Sequence, residues 1–268
     1  MNYPVIHVLI PTYNRAHTIC SAIDSVISCE IPNLKIFIIE NSSDDATVPL
    51  IQKEYSALLE SSVLKLVCFD ETVPIIENWN RCFNFIDQAD YVKFLWSDDR
   101  VLPVVFKRMI KTLDESPSVD IVGCDVSYVG EAGQMIERRR YGSNFFQLIG
   151  SLFYKNMLGC PSSLLFRRLA IKDLKFNESN RYAADLQFVT DLIFLNNCQH
   201  LHINETGVKV LVQSGTETNT LFGSKLMIDC KKELLDNALT CYFKLPRLVI
   251  APLLFAYKHS LNVKFKFF

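Results

Sequence analysis

Two adjacent carboxylates, Asp98 and Asp99, follow an apolar run from Tyr91 to Trp96 that is typical of a buried strand. Burying a carboxylate without a partner costs several kcal/mol, so a cation or strong hydrogen-bond donors should face this pair. One interpretation is a divalent metal site that holds a phosphate group. The alternative is that the two carboxylates cap a helix beginning near Pro103. The pair alone leaves both interpretations open.

The elements that must position this pair are strands alternating with helices. Short apolar runs of strand type alternate with segments of helical periodicity as far as residue 113. The predicted strands are 5–10, 34–39, 64–69 and 91–96, and the predicted helices are 19–27, 48–59, 75–86 and 104–113. Such alternation favours an α/β fold with a single, mainly parallel central sheet flanked by helices.

Polar residues follow each predicted strand at the point where the strand ends. Ligands of open parallel sheets bind outside the carboxyl ends of the strands. We therefore expect one edge of the sheet to collect Thr12 to Arg15, Glu40 and Asn41, Asp70 and Glu71, and Asp98 and Asp99.

The alternation weakens beyond residue 120. A hairpin is predicted from strands 121–129 and 134–141, and it is followed by a helix at 145–154, a short strand at 163–166 and an amphipathic helix at 184–195. No repeat or long linker interrupts the chain. We therefore expect the second half to extend the same sheet.

Composition narrows the classes of protein. The formal net charge of −1 argues against broad electrostatic binding of nucleic acid. Nine scattered cysteines without a C-x-x-C pair indicate reduced thiols in a cytoplasmic protein and argue against a disulfide framework or a zinc site. The N-terminus lacks a basic region before its apolar run, so no signal peptide is expected.

The C-terminal segment has a different composition. After Asp236 there is no acidic residue, while five basic residues are interleaved with aromatic and aliphatic ones. The apolar stretch Leu248 to Tyr257 is too short for a membrane span, which needs about 20 residues. This basic, aromatic tail either lies on an anionic membrane surface or packs on the core with its lysines in solvent.

Glycine positions exclude the common nucleotide-binding loops. The first glycine of the chain is Gly123, so neither G-x-G-x-x-G nor G-x-x-x-x-G-K-[ST] can follow the first strand. A dinucleotide-dependent dehydrogenase and a P-loop enzyme are thereby disfavoured. A diphosphate held by carboxylates would require a bridging Mg²⁺ or Mn²⁺.

Three blocks of sequence, 8–15 (VLIPTYNR), 37–47 (FIIENSSDDAT) and 91–99 (YVKFLWSDD), resemble family-2 glycosyltransferases in order and spacing. Looser similarity extends to about residue 220. The resemblance implies the GT-A (nucleotide-diphospho-sugar transferase) fold over 1–220, with a nucleotide-sugar half at 1–120 and an acceptor half at 121–220, followed by a helical tail at 221–268. It also implies an inverting, metal-dependent transferase that uses a nucleotide sugar, with a UDP-sugar favoured.

Site residues are carried over by position in this resemblance. Nucleotide-sugar-binding residues would be Pro11, Thr12, Tyr13, Arg15, Glu40, Asn41, Asn80 and Asp98. Asn41 stands where relatives usually carry an Asp, which leaves uridine, thymidine and guanosine open. Ser97 replaces the first carboxylate of the D-x-D motif, so Asp99 becomes the expected ligand of Mn²⁺ or Mg²⁺. The alternative for Thr12 is ordinary turn and cap chemistry.

The base that deprotonates the acceptor hydroxyl is expected to be Asp185, which matches the base position of the family. Alternatively Asp185 is only a helix N-terminal charge, and Asp191 is a weaker candidate for the base. Relatives often carry a histidine near 212–216, where this chain has none. Bacterial O-antigen or surface-polysaccharide assembly on a glycan or lipid-linked acceptor is the implied setting. A nucleotidyltransferase and a non-catalytic nucleotide-sugar-binding scaffold remain alternatives.

Overall fold

The computed structural model describes residues 3–143, 150–152, 156–213, 225–246, 250, 252–255 and 257. In this part of the chain nine strands form one mixed sheet in the order β3-β2-β1-β4-β8-β6-β9-β5, with β7 paired to β6. The strands are β1 Ile6–Thr12, β2 Leu34–Glu40, β3 Leu64–Cys68, β4 Tyr91–Phe94, β5 Arg100–Val101, β6 Ile121–Gly130, β7 Met135–Arg139, β8 Leu164–Arg167 and β9 His200–Val212.

Eight α-helices lie entirely within the described residues, and most of them lie on one or the other face of the sheet. They are α1 Ile19–Ile27, α2 Thr47–Glu54, α3 Ser56–Glu60, α4 Ile75–Arg81, α5 Pro103–Glu115, α6 Arg168–Ile171, α7 Ala184–Phe194 and α8 Lys225–Asn237. The predicted helix 48–59 is divided into α2 and α3 at Tyr55. The phenol hydroxyl of this residue donates to Asp24 at 2.8 Å, which ties the break to α1.

The first four strands form the parallel part of the sheet that the sequence predicts. β1 pairs in parallel with both β2 and β4, and β2 pairs in parallel with β3. Every residue of β1 is buried because helices cover both faces. One core contains residues of α1, α2 and α5, and the other contains residues of α4 and α7. The loops after these four strands therefore meet at one edge.

The second half of the sheet adds antiparallel pairs, so the whole sheet is mixed. The predicted hairpin is present as β6 and β7. β8 inserts antiparallel between β4 and β6, and β6 pairs in parallel with the long strand β9. Sequence patterning did not predict β9, because polar residues interrupt its apolar run and much of it is only half-buried.

The C-terminal segment packs on the core as far as the structure describes it. A π-helical turn at Ala238–Tyr242 continues α8, and Leu235, Leu239, Ile250 and Leu254 form a small apolar cluster. Among the described residues there is no helix long and apolar enough to cross a membrane. The last eleven residues, 258–268, and most of the predicted helix 145–154 lie outside the described part.

Candidate active site

The loops that follow β1 and β2 are joined by side-chain hydrogen bonds. The backbone N–H of Asn14 donates to the Ser43 hydroxyl at 2.8 Å, and the Asn14 side-chain oxygen accepts from the Asp44 N–H at 3.1 Å. The Arg15 N–H donates to the Thr47 hydroxyl at 2.8 Å. Asn14 adopts a left-handed φ of 50°, which asparagine tolerates better than most residues. These contacts hold a stiff shelf from which Tyr13, 43 % exposed, projects.

Glu40 and Asn41 use their side chains to shape this edge of the sheet. The two carboxylate oxygens of Glu40 accept the N–H groups of Ser42 and Ser43, at 3.0 and 2.8 Å. The Asn41 side chain donates to the Val73 carbonyl at 2.9 Å and accepts the Val73 N–H at 3.0 Å. Both residues are buried. They set the course of the loops after β2 and β3 by direct hydrogen bonds.

Arg81 connects Asn41 to the loop that follows β3. Its guanidinium donates to the Asn41 side-chain oxygen at 2.8 Å and to the Glu71 carbonyl at 3.3 Å. It also lies over the ring of Phe69, 4.0 Å from the ring centroid. A guanidinium that combines hydrogen bonds with stacking is well suited to hold a loop in one position.

Two of the predicted nucleotide-sugar residues have structural contacts that account for their side chains. The hydroxyl of Thr12 donates to the Ile10 carbonyl at 3.1 Å, as turn chemistry predicts. Asn80 is buried on α4 and donates to the Phe176 carbonyl at 3.0 Å and to Glu178 at 2.9 Å, while it accepts the Phe176 N–H at 2.8 Å. The Asn80 amide thereby clamps the loop before α7, which favours a structural role, and its assignment to the nucleotide-sugar site stays a prediction.

The acid pair lies in a tight turn directly after β4. The Asp99 N–H donates to the Trp96 carbonyl at 2.9 Å, and the Asp99 residue is 1 % exposed. Neither carboxylate oxygen of Asp99 has a hydrogen-bond partner of normal geometry among the described residues. The capping interpretation is wrong, because α5 has Leu102 at its N-cap position and no side-chain cap.

The electrostatics of this turn disfavour two negative charges. Burial first, and then the charge of Asp98, raise the pKa of Asp99 well above its usual range. Nearby Ser162 and the Leu211 N–H oppose that rise without making regular hydrogen bonds. Burial also raises the pKa of Asp98, against the positive charge of Arg15. A cation would relieve this arrangement, because a buried, unpartnered carboxylate provides the oxygen ligands that hard divalent cations prefer.

The described residues supply a carboxylate pair, and no group of three His, Cys, Asp or Glu side chains gathers among them as a metal site. The two histidines of β9, His200 and His202, lie within the sheet. His202 pairs with the buried carboxylate of Asp125 at 2.9 Å, and burial lowers the pKa of His200 to about 3. Of the segment 212–216, where relatives often carry a histidine, only Val212 and Gln213 are described.

Asp185 lies in the first turn of α7. Its carboxylate accepts the Leu186 N–H at 2.8 Å, and its surface is partly open to solvent. Burial raises the pKa of Asp185 to about 6, and the N–H groups at the start of the helix oppose this rise. A carboxylate that is mostly buried but reaches the surface, with a pKa near neutrality, is well matched to general-base chemistry. Asp191 is less suitable, because the Tyr242 hydroxyl is bonded to it.

Cys160 links the two acidic positions. After burial, the largest effects that raise the pKa of its thiol to about 12 are the negative charges of Asp99 and Asp185. Both carboxylates therefore lie within electrostatic range of one sulfur, although 86 positions separate them in the chain. The residue precedes the 3₁₀ turn Pro161–Ser163, which leads into β8. The fold thus gathers around this turn the two carboxylates to which the sequence assigns different roles.

Three further residues in this region, Trp79, Trp96 and Lys93, have contacts that the sequence did not predict. Trp79 and Trp96 stack with ring centroids 4.3 Å apart, and Lys93 is fully buried in β4, the strand that precedes the acid pair. The available signal was a lysine in the middle of an otherwise apolar strand, since an unpaired ammonium is costly to bury.

This sheet, with its ligand edge after β1, β2 and β4, is that of the GT-A glycosyltransferases. The chain belongs to the family described as Glycosyl transferase family 2, whose model matches residues 7–175. An uncharacterized glycosyltransferase of Methanocaldococcus jannaschii is 21% identical over 189 residues, covering 70% of this chain and 64% of that protein. One of Rickettsia typhi is 22% identical over 233 residues, covering 81% of this chain and 67% of that protein. The chain thus spans about two thirds of the length of these relatives.

Solved structures share the fold at low sequence identity. The S. aureus TarS fragment 1–349, in complex with UDP-GlcNAc, has a TM-score of 0.69 at 18% identity, and the match covers 97% of this chain and 71% of that one. The mannosyltransferase PcManGT of Pyrobaculum calidifontis, in complex with GDP-Man and Mn²⁺, has a TM-score of 0.63 at 16% identity with the same coverage. These structures confirm the expected α/β GT-A fold, and the family match over residues 7–175 confirms the assignment as a family-2 glycosyltransferase.

Proposed function

We propose that this chain is an inverting, metal-dependent glycosyltransferase that moves a sugar from a UDP-sugar to a hydroxyl of a glycan or lipid-linked acceptor. The observation that carries the proposal is the buried carboxylate of Asp99 beside Asp98, which has no hydrogen-bond partner in the described part of the chain, with Asp185 near the same turn. Complexes of TarS with UDP-GlcNAc and of PcManGT with GDP-Man and Mn²⁺ support a nucleotide-sugar donor and a divalent cation.

Each residue of the site has a distinct role in this proposal. Tyr13 stacks on the nucleobase, and Arg15 with the loops shaped by Glu40 and Asn41 encloses the nucleoside. Asp99, supported by Asp98, would hold Mn²⁺ or Mg²⁺, which when bound supplies charge neutralisation for the departing diphosphate. Asp185 accepts the proton of the acceptor hydroxyl while the hydroxyl oxygen attacks the anomeric carbon and the nucleoside diphosphate departs.

The setting is part of the same proposal. The nine cysteines, all unpaired in this structure, fit a cytoplasmic protein. The basic, aromatic tail suits contact with the inner face of an anionic membrane, where a lipid-linked acceptor of surface-polysaccharide or O-antigen assembly would reside. Co-sedimentation with vesicles containing anionic lipid, compared with neutral vesicles, tests this membrane contact. Equal sedimentation with both would contradict it.

The decisive experiment measures donor binding and turnover together. Thermal stabilisation by UDP, dTDP and GDP, with and without Mn²⁺, identifies the base and the metal dependence, because ligands raise the stability of the native state by mass action. Sugar transfer or donor hydrolysis is then measured for the wild type, Asp99→Asn and Asp185→Asn. Asp173→Asn, at an exposed surface position, is the matched control.

We expect both site variants to lose turnover and the control to retain it. Asp99→Asn should also lose the additional stabilisation that Mn²⁺ gives to the diphosphate complex, whereas Asp185→Asn should keep it. Metal-dependent turnover that survives Asp99→Asn would refute the metal assignment. Tight donor binding without turnover for any sugar would favour a nucleotide-sugar-binding scaffold instead.

A further inference from the structure

Lys93 is a fully buried lysine in the middle of β4. Its ammonium donates to the Ser162 carbonyl at 2.6 Å and to the Leu164 carbonyl at 3.4 Å, and it lies 5.3 Å from the centroid of the Phe106 ring. An apolar side chain would fill this space without the cost of burying a charge. We therefore explain the presence of a lysine at this position by the hydrogen bonds that its ammonium donates to the two carbonyls.

The position of Lys93 coincides with the point where the pairing of two neighbouring strands ends. β4 and β8 are paired only at Tyr91 with Arg167 and at Val92 with Phe166. The pairing ends there, so Lys93 has no partner residue on β8, which the turn Pro161–Ser163 directly precedes. The side chain of Lys93 replaces the missing ladder with its own hydrogen bonds.

Ser162 connects this lysine to the acid pair. Its hydroxyl accepts the Trp96 N–H at 3.0 Å, and the Trp96 carbonyl in turn accepts the Asp99 N–H at 2.9 Å. Like Lys93, it is completely buried. Ser162 is thus held from one side through its carbonyl and touches the acid turn from the other side through its hydroxyl.

We propose that Lys93 and Ser162 form a buried strut that positions the Asp98–Asp99 turn against the Cys160–Ser162 segment, and thereby sets the spacing between the acid pair and Asp185. Both are positioning residues, since they act on the acid turn from behind and contact no reacting atom. The inference rests on the roles proposed above for Asp99 and Asp185. It predicts that losing the strut slows sugar transfer, while the affinity of the loops after β1 and β2 for the nucleoside stays unchanged.

Lys93→Met tests the strut, because methionine is unbranched, keeps most of the length of the side chain and removes the donors. We expect kcat for sugar transfer to fall about 100-fold, the loss that a displacement of about 1 Å can cause. The donor KM and the thermal shift given by metal-free UDP should change less than threefold. Lys65→Met, at an exposed strand lysine on β3, is the matched control and should retain wild-type kcat.

A double-mutant cycle with Ser162→Ala identifies the path of the effect. If Lys93 acts through Ser162, the double variant should lose much less than the product of the two single losses. Ser162→Ala also stands alone as the test if Lys93→Met does not fold, with an expected kcat loss of at least tenfold. A double variant whose kcat loss equals the product of the two single losses would overturn the strut. A wild-type kcat for either single variant would also overturn it.

The Asp99→Asn variant separates the two proposals. If it is inactive while Lys93→Met and Ser162→Ala are fully active, the strut fails and the proposed function stands. If Asp99→Asn is itself active, the proposed function fails, and the strut fails with it. A proportional fall of kcat and folded fraction in Lys93→Met, with no change in kcat per folded molecule, assigns Lys93 to packing alone and overturns the inference.

Discussion

The hydroxyl of Tyr242 donates a hydrogen bond to the carboxylate of Asp191 in the middle of α7. The same hydroxyl lies 3.2 Å from that of Thr190, and the ring of Tyr242 stacks on Phe194 with a centroid distance of 4.6 Å. The turn Ala238–Tyr242 is thereby fastened to α7, which carries Asp185 in its first turn. The segment Ala238–Tyr242 thus supports the helix that carries the proposed base.

Tyr242→Phe should destabilise the protein because it removes the hydroxyl that donates to the half-buried carboxylate of Asp191. We expect the free energy of unfolding to fall by about 1 to 3 kcal/mol, the usual cost of a buried group that loses its partner. Urea denaturation measures this change. Tyr3→Phe, at an exposed tyrosine, is the control and should have no effect. An unchanged urea midpoint in Tyr242→Phe would contradict the fastening role.

Asp185→Asn should lose activity and gain stability. The pKa of Asp185 is raised to about 6 in the folded protein, above its ordinary value of 3.8, so the folded state binds this proton more tightly than the unfolded state. Above pH 6 the buried charge therefore lowers the free energy of unfolding, and the penalty disappears as the pH falls toward 4. The variant should be about 2 to 3 kcal/mol more stable than the wild type at pH 8.

Urea denaturation of wild type and Asp185→Asn between pH 4 and pH 8 measures this difference, which should shrink at the acidic end. In the wild type, transfer activity should decline as the pH falls through about 6, because a base must be deprotonated to act. A variant that is less stable than the wild type at pH 8 would show that burial of the Asp185 charge has no energetic cost.

Tyr13→Ala should weaken donor binding without altering the fold. Tyr13 projects from a shelf held by Asn14 and Arg15, and stacking of a base on an aromatic ring contributes about 1 to 3 kcal/mol. The donor KM should rise about tenfold or more, while Tyr13→Phe, which keeps the ring, should stay close to wild type. Initial-rate kinetics at saturating acceptor measure both variants. A wild-type KM in Tyr13→Ala would remove Tyr13 from the nucleoside site.

Asn80→Ala should damage the fold and spare the donor site. The change removes three hydrogen bonds to Phe176 and Glu178, and we expect a loss of about 2 to 3 kcal/mol in the free energy of unfolding. The donor KM of the folded fraction should stay within twofold of wild type. Asn84→Ala, at an exposed asparagine nearby, is the control. A large rise in KM at full stability would instead support the predicted place of Asn80 in the nucleotide-sugar site.

The parallel half of the fold could be predicted from the sequence because its signals are local. Strand and helix periodicities in 5–113 depend on neighbouring residues, and the loops after parallel strands must share an edge. That logic brought Tyr13 and Asp99 to one side of the sheet. It did not find β9, whose alternating polar residues become a strand only through pairing with β6.

The amino-acid sequence by itself determined the α/β class, the family and the acid pair at the sheet edge. Only the tertiary structure decided what each polar side chain touches. Asn80 meets Phe176 across 96 positions of the chain, and Lys93 meets Ser162 across 69. The physical reason is that a hydrogen bond depends on atoms brought within about 3 Å, and residues so distant in sequence approach one another only when the whole sheet has assembled.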